Sequence, residues 1–187
     1  LVVAAPAGAA VVTIDGNGVL VDGEPFLPIM SWLQCPGNIA HQKTLGINTF
    51  LYTFPFTNDS TKLFKTFKKW GFETVEIAID DPAGFDPVHV KAELDKVGLV
   101  CGSACGCFGP DRDLRGTPEA QRNSMEYIQK CIDIMDVLGC PSFIGPVYSA
   151  VGRAEAVEPA DYRKQWATVV KNLKRICAYA EKKGKQI

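Results

Sequence analysis

Residues 71–98 read GFETVEIAIDDPAGFDPVHVKAELDKVG, and one architectural unit is complete within them. The apolar run Glu73 to Ile79 suits a buried strand. A short loop follows, and Asp86-Pro87 then opens a helix whose Val90, Leu94 and Val97 share one face. Gly98 ends that helix where a left-handed cap is wanted. The same order recurs on both sides. Further strands are expected at Ile47 to Thr53, Leu99 to Cys105 and Ser142 to Val147, with Lys185-Gln186-Ile187 opening a fifth. Gly46, Gly71, Gly98, Gly139 and Gly184 punctuate them. Ser60 is placed to cap a helix carrying Leu63, Phe64 and Phe67. Thr117-Pro118-Glu119 opens another, with Met125, Ile128, Ile132, Met135 and Leu138 at helical spacing. Pro159 starts the last, whose expected inner stripe is Tyr162, Trp166, Val169, Leu173, Cys177 and Ala180.

Strands alternating with helices pair in parallel through right-handed crossovers. The fold class is therefore α/β, and about four such units suit a partial (β/α)8 barrel or a small doubly wound sheet. Neither G-x-G-x-x-G nor G-x-x-x-x-G-K-[ST] follows any strand, which counts against a nucleotide-binding sheet.

Ahead of these units the character changes. Leu1 to Ala10 (LVVAAPAGAA) resembles the end of a secretory signal or a disordered Ala-rich tail. Residues 11–45 begin with alternating apolar residues and the turn dipeptides Asp15-Gly16 and Asp22-Gly23, so short antiparallel strands and then a first helix are expected. A hairpin cannot bury a core alone and must cover something.

With 47% hydrophobic and 22% charged residues and a net charge of −1, the composition is that of a globular chain. That balance argues against an electrostatic nucleic-acid or membrane-surface partner. Seven cysteines include the cluster Cys101, Cys105 and Cys107, whose spacing is not a usual zinc pattern. Buried, reduced thiols in and after a strand are the simpler reading, which favours a reducing compartment.

In a barrel, chemistry belongs to the loops after the strands. Here those run Tyr52 to Asp59, Asp80 to Phe85, Gly106 to Gly116 and Tyr148 to Glu158. Asp111-Arg112-Asp113-Leu114-Arg115 could orient a polyol, or equally make its own ion pairs. Asp80-Asp81 precedes Pro82 and reads as a turn. His41 and His89 lie in helical stretches without neighbouring ligands. Glu76, inside an apolar strand, needs a partner and is a candidate for substrate contact or a structural acid.

Four segments together carry a resemblance: GINTFLYTFPFTN (Gly46 to Asn58), GFETVEIAIDD (Gly71 to Asp81), FGPDRDLRGTPEAQR (Phe108 to Arg122) and GCPSFIGPVYSAVGR (Gly139 to Arg153). Residues 46–187 resemble the N-terminal half of sugar isomerases and epimerases of the xylose isomerase-like TIM barrel group, especially ketose 3-epimerases of the tagatose/psicose type. The resemblance implies metal-dependent C3 epimerisation of a ketose, in which two Glu move a proton through an enediolate on a divalent ion such as Mn2+. It also implies that all metal ligands come from strands five to eight. No catalytic or metal-binding residue is thus expected within this chain, and the fragment is expected to be inactive and metal-free. What carries over is a substrate wall of Asn48, Tyr52, Cys105, Gly106 and Tyr148, to which Glu76 is added. The implied partner is a small ketose, with no nucleic acid or membrane, and the parent is expected to be a homo-oligomer in the cytoplasm.

Residues 11–45 instead resemble the N-terminal hairpin of secreted glycoside hydrolases, which leaves export as the alternative location. A glycoside hydrolase fragment, or a non-catalytic half-barrel, is the competing reading of function. The leading Leu and the ending within a strand suggest a truncated or chimeric sequence joined near Gly46.

Overall fold

The computed structural model describes residues 12–15, 18–21, 23–26, 30–32, 49–51 and 54–187. Near the N-terminus, β1 (Val12–Asp15), β2 (Gly18–Val21) and β3 (Glu24–Phe26) form an antiparallel sheet, with Asp15 opposite Gly18 and Val21 opposite Glu24. These are the short antiparallel strands that the turn dipeptides predict. β4 (Met30–Trp32) pairs in parallel with β5 (Thr49–Leu51). The first helix expected before Gly46 lies outside the described residues, as do the ends of the strand expected at Ile47 to Thr53.

The repeating part follows. A 3-10 segment, Asn58–Leu63, runs into α1 (Phe64–Lys69). Then come β6 (Thr74–Ile79), α2 (Pro87–Val97), β7 (Val100–Gly106), α3 (Pro118–Leu138), β8 (Ser142–Ile144) and α4 (Pro159–Lys182). β6, β7 and β8 pair in parallel in sequence order, and Gln186 bridges to Ser142 in the same sense. Parallel strands laid down in chain order with helices between them make this a partial (β/α)8 barrel.

Local chemistry explains the boundaries. The Asp86 side chain accepts from the Val88 amide at 2.9 Å, and the Thr117 hydroxyl from the Ala120 amide at 3.2 Å. Gly71, Gly98, Gly139 and Gly184 all adopt positive φ, between 64° and 84°, where an L side chain would be strained. Ser60 differs from its expected place. Thr57 is the cap, and the Ser60 hydroxyl accepts the Thr57 amide at 3.1 Å from inside the first turn.

The core lies between the sheet and the helices. Ile77, Ala104 and Phe143 occupy one row across the three strands, and all are buried against Val90, Leu94, Ile128, Ile132 and Met135. On α4 the expected stripe holds at Val169, Leu173 and Ala180 and fails at Tyr162, Trp166 and Cys177. Val169, Asn172, Ile176 and Ala180 are buried, whereas Tyr162 and Trp166 are 59% and 60% exposed and Cys177 is also exposed. The buried face is rotated towards α3, because Asn172 donates to Gln121 at 3.0 Å and so enters the interior with its polarity satisfied. Among the described residues, no helix is long and apolar enough to cross a membrane.

Candidate functional site at the strand ends

Alternation along a strand sends every second side chain to the same face. On the face away from the helices, the register aligns Glu76, Ser103 and Ser142 in one row and Ala78, Cys105 and Ile144 in the next. Beyond them, at the C-terminal ends of the strands, a cavity of about 720 Å³ opens. Ala78, Cys105 and Ile144 are at its floor, Asp80, Gly106 and Cys107 are further lining residues, and Phe108 and Val151 come from the loops. This is the end of a barrel where ligands bind.

Gly106 is required by packing. A Cβ there would lie 2.4 Å from Phe143 Cζ and 2.7 Å from Phe108 Cε2. Those rings are themselves arranged edge to face, as aromatic quadrupoles prefer, with Phe108 also standing at 90° to Tyr127.

Tyr127, which the sequence did not single out, and Arg112, which it placed only within a charged loop, hold the strand ends together. The buried Tyr127 hydroxyl accepts the Cys107 amide at 2.7 Å and donates to the Ile79 carbonyl. Arg112 donates to the Asp80 and Cys107 carbonyls at 2.8 and 2.9 Å, and its guanidinium lies 4.3 Å over the Tyr127 ring. Arg112 is thus committed to carbonyls that the ends of β6 and β7 would otherwise leave unpaired.

The neighbouring Asp113 is 2% exposed and ties two loops together. It accepts from Arg153 at 2.6 Å and from the Arg115 amide at 2.7 Å, while Arg115 donates to the Arg153 carbonyl at 3.0 Å. Burial alone would raise the Asp113 carboxyl, but hydrogen bonds from Arg153, Arg115 and Ala150 outweigh it and hold the group below its ordinary range. The Asp111 to Arg115 loop makes ion pairs of its own, and Asp111 and Arg112 also line the cavity. Asp81 likewise acts as a turn residue, accepting the Ala83 amide at 2.9 Å.

Glu76 lies one row beneath the cavity floor and is 1% exposed. Ser103 donates to its Oε2 at 2.6 Å, while Oε1 has no hydrogen-bond partner. Burial pushes this carboxyl up, against the smaller pull of the Ser103 hydroxyl. Of the other expected wall residues, Cys105 and Gly106 line the cavity, Tyr148 is 54% exposed and outside the lining, and Asn48 and Tyr52 lie outside the described residues. His89 is exposed on α2.

The donor set does not suit a divalent ion. Burial pushes the Cys105 thiol up to about 12 and Cys107 to about 11, so neither offers a thiolate near neutrality. Among the described residues, no three His, Cys, Asp or Glu side chains converge to hold a metal.

Comparison with known proteins agrees with this architecture. The xylose isomerase-like TIM barrel family matches residues 64–187. A probable ketose 3-epimerase of Synechocystis sp. is 27% identical over 110 residues, covering 57% of this chain and 37% of that protein. The ketose 3-epimerase of Arthrobacter globiformis is 29% identical over 90 residues, covering 48% and 30%. Among solved structures, the D-allulose 3-epimerase of Methylomonas sp., bound to D-allulose, superposes with a TM-score of 0.61 at 24% identity, covering 67% of this chain and 43% of that one. The chain therefore spans less than half the length of these proteins. The family match, the parallel sheet and the cavity at the strand ends agree, and the chain belongs to the xylose isomerase-like TIM barrel family.

Proposed function

We propose that the strand-end cavity is one wall of a ketose site, serving metal-dependent epimerisation at C3. The observation that carries this reading is the cavity of about 720 Å³ at the strand ends of a chain whose relatives are named ketose 3-epimerases. Its floor of Ala78, Cys105 and Ile144 suits the C–H face of a sugar, and the Asp80 carboxylate in the lining can accept a hydrogen bond from a sugar hydroxyl. We assign no described residue a proton-transfer role, and none a metal-holding one, since no three His, Cys, Asp or Glu side chains converge among them. This portion positions the sugar. The free thiols of Cys101, Cys105, Cys107, Cys131 and Cys140 support work in a reducing compartment.

The test is saturation-transfer NMR of free ketohexoses with the 187-residue chain and with Cys105→Phe, which fills the floor. Transfer to a ketose that the substitution abolishes, while the circular dichroism spectrum is unchanged, is expected. Equal transfer in both proteins would refute the site. A parallel assay with Mn2+ is expected to show no C3 epimerisation by this chain, and turnover would show that the described residues had been assigned too small a role.

A further inference from the structure

Cys101 and Cys140 have no part in the cavity, yet the sheet brings them side by side. Ser103 on β7 is the register partner of Ser142 on β8; Cys101 stands just before the bulge at Gly102 on β7, and Cys140 two residues before Ser142. Cys140 precedes Pro141, which favours extended backbone at that position. The strand course continues through Pro141, whose carbonyl accepts the Gln186 amide at 2.9 Å while Phe143 donates to Gln186 at 2.8 Å. Partners on adjacent parallel strands are separated by roughly 4.8 Å, inside the roughly 4.4–6.8 Å between Cα atoms that a disulfide spans. Each thiol also donates to the carbonyl two residues on, Cys101 to Ser103 and Cys140 to Ser142, both at 3.5 Å. The two thiols also lie close enough to shift one another's titration.

We propose that Cys101 and Cys140 are a redox-modification site, free thiols in the reduced chain that close to a disulfide stapling the start of β7 to the start of β8. The oxidant is a small-molecule disulfide of the glutathione class. One thiolate attacks it, forming a mixed disulfide and releasing one small thiol. The second protein thiol, losing its proton, attacks the mixed disulfide and releases the other. The protein loses two electrons and two protons, and one small disulfide becomes two thiols. Cys140 is the better first nucleophile, because the neighbouring Cys101 thiol, the Ser142 backbone and Lys185 together outweigh burial and hold it below its ordinary range.

Burial makes both thiols slow to react in the folded chain, so oxidation is best followed during folding. Cys101 is 1% and Cys140 0% exposed, whereas Cys177 is exposed and reports that the oxidant is active. The full chain is reduced in urea, refolded in a buffer of glutathione and glutathione disulfide, trapped in acid, alkylated and mapped by peptide mass. The expected product is a single cross-linked peptide joining Cys101 to Cys140, lighter by two hydrogens, present after refolding and not after the same treatment in concentrated urea. Dithiothreitol should reverse it, and the urea midpoint of the linked form should be the higher. Cys140→Ala should lose the link and make the urea midpoint independent of redox buffer. If Cys177 carries a glutathione adduct while Cys101 and Cys140 are both free, or carry separate adducts, the proposal is overturned. A link joining either to another cysteine would overturn it as well.

Discussion

At the scale of single residues, two buried carboxylates make opposite predictions. Asp113 is held low by Arg153 and two backbone amides, so it stabilises the fold above its unfolded pKa. That contribution is lost as pH falls through the lower folded value. Asp113→Asn should cost about 1–3 kcal/mol near neutrality, a range kept modest because Arg153 is 31% exposed. Urea unfolding across pH should show the deficit shrinking in acid. Glu76 behaves the other way. Its folded pKa is raised, so the stability associated with its protonated form is present below the unfolded pKa and lost as pH rises through the folded value. Glu76→Gln should therefore be about 1–3 kcal/mol more stable than the parent near neutrality, with the two converging in acid. A parent that gains stability over Glu76→Gln as pH rises would contradict the burial of an unpartnered Oε1. Gly106→Ala should cost roughly 1–3 kcal/mol in urea unfolding by forcing Phe143 and Phe108 aside.

At the scale of elements, what the sequence revealed was local and what it hid was distant. Asp86, Thr117 and the four glycine caps act within a turn of their own positions, so the boundaries of α2 and α3 were readable from composition and spacing. The cavity floor was partly readable too, because Cys105 and Gly106 follow from where β7 ends. Tyr127 and the partners of Arg112 were not, since Ile79 lies 48 residues from Tyr127 and Asp80 lies 32 from Arg112. Nor was the whole face of α4, where a hydrophobicity stripe counts Trp166 as core and passes over Asn172. The Asn172–Gln121 bond across 51 residues satisfies Asn172 in the interior, while Trp166 is exposed. Unfolding measurements distinguish the two faces. Ile176→Ala should cost about 2–5 kcal/mol, since the side chain is 1% exposed. Trp166→Gln should stay within about 0.5 kcal/mol of the parent. Loss of the cap in Thr117→Ala should cost about 1 kcal/mol.

For the whole molecule, residues 64–187 match the family, and the sheet from β6 through Gln186 runs in the order a barrel requires. The polar row of Glu76, Ser103 and Ser142 lies beneath a small, largely apolar floor, and the long loops are latched above it by Asp113 and Arg153. That arrangement fixes a wall of constant shape, which is what orientation of a small polyol needs. The most direct measurement is a titration of the 15N-labelled chain with a free ketohexose, read at the backbone amides of Gly106, Gly109 and Gly145. Saturable shifts confined to those amides and their cavity neighbours are predicted. Saturable shifts elsewhere, or a spectrum unchanged by ketose, would contradict a sugar site at the strand ends.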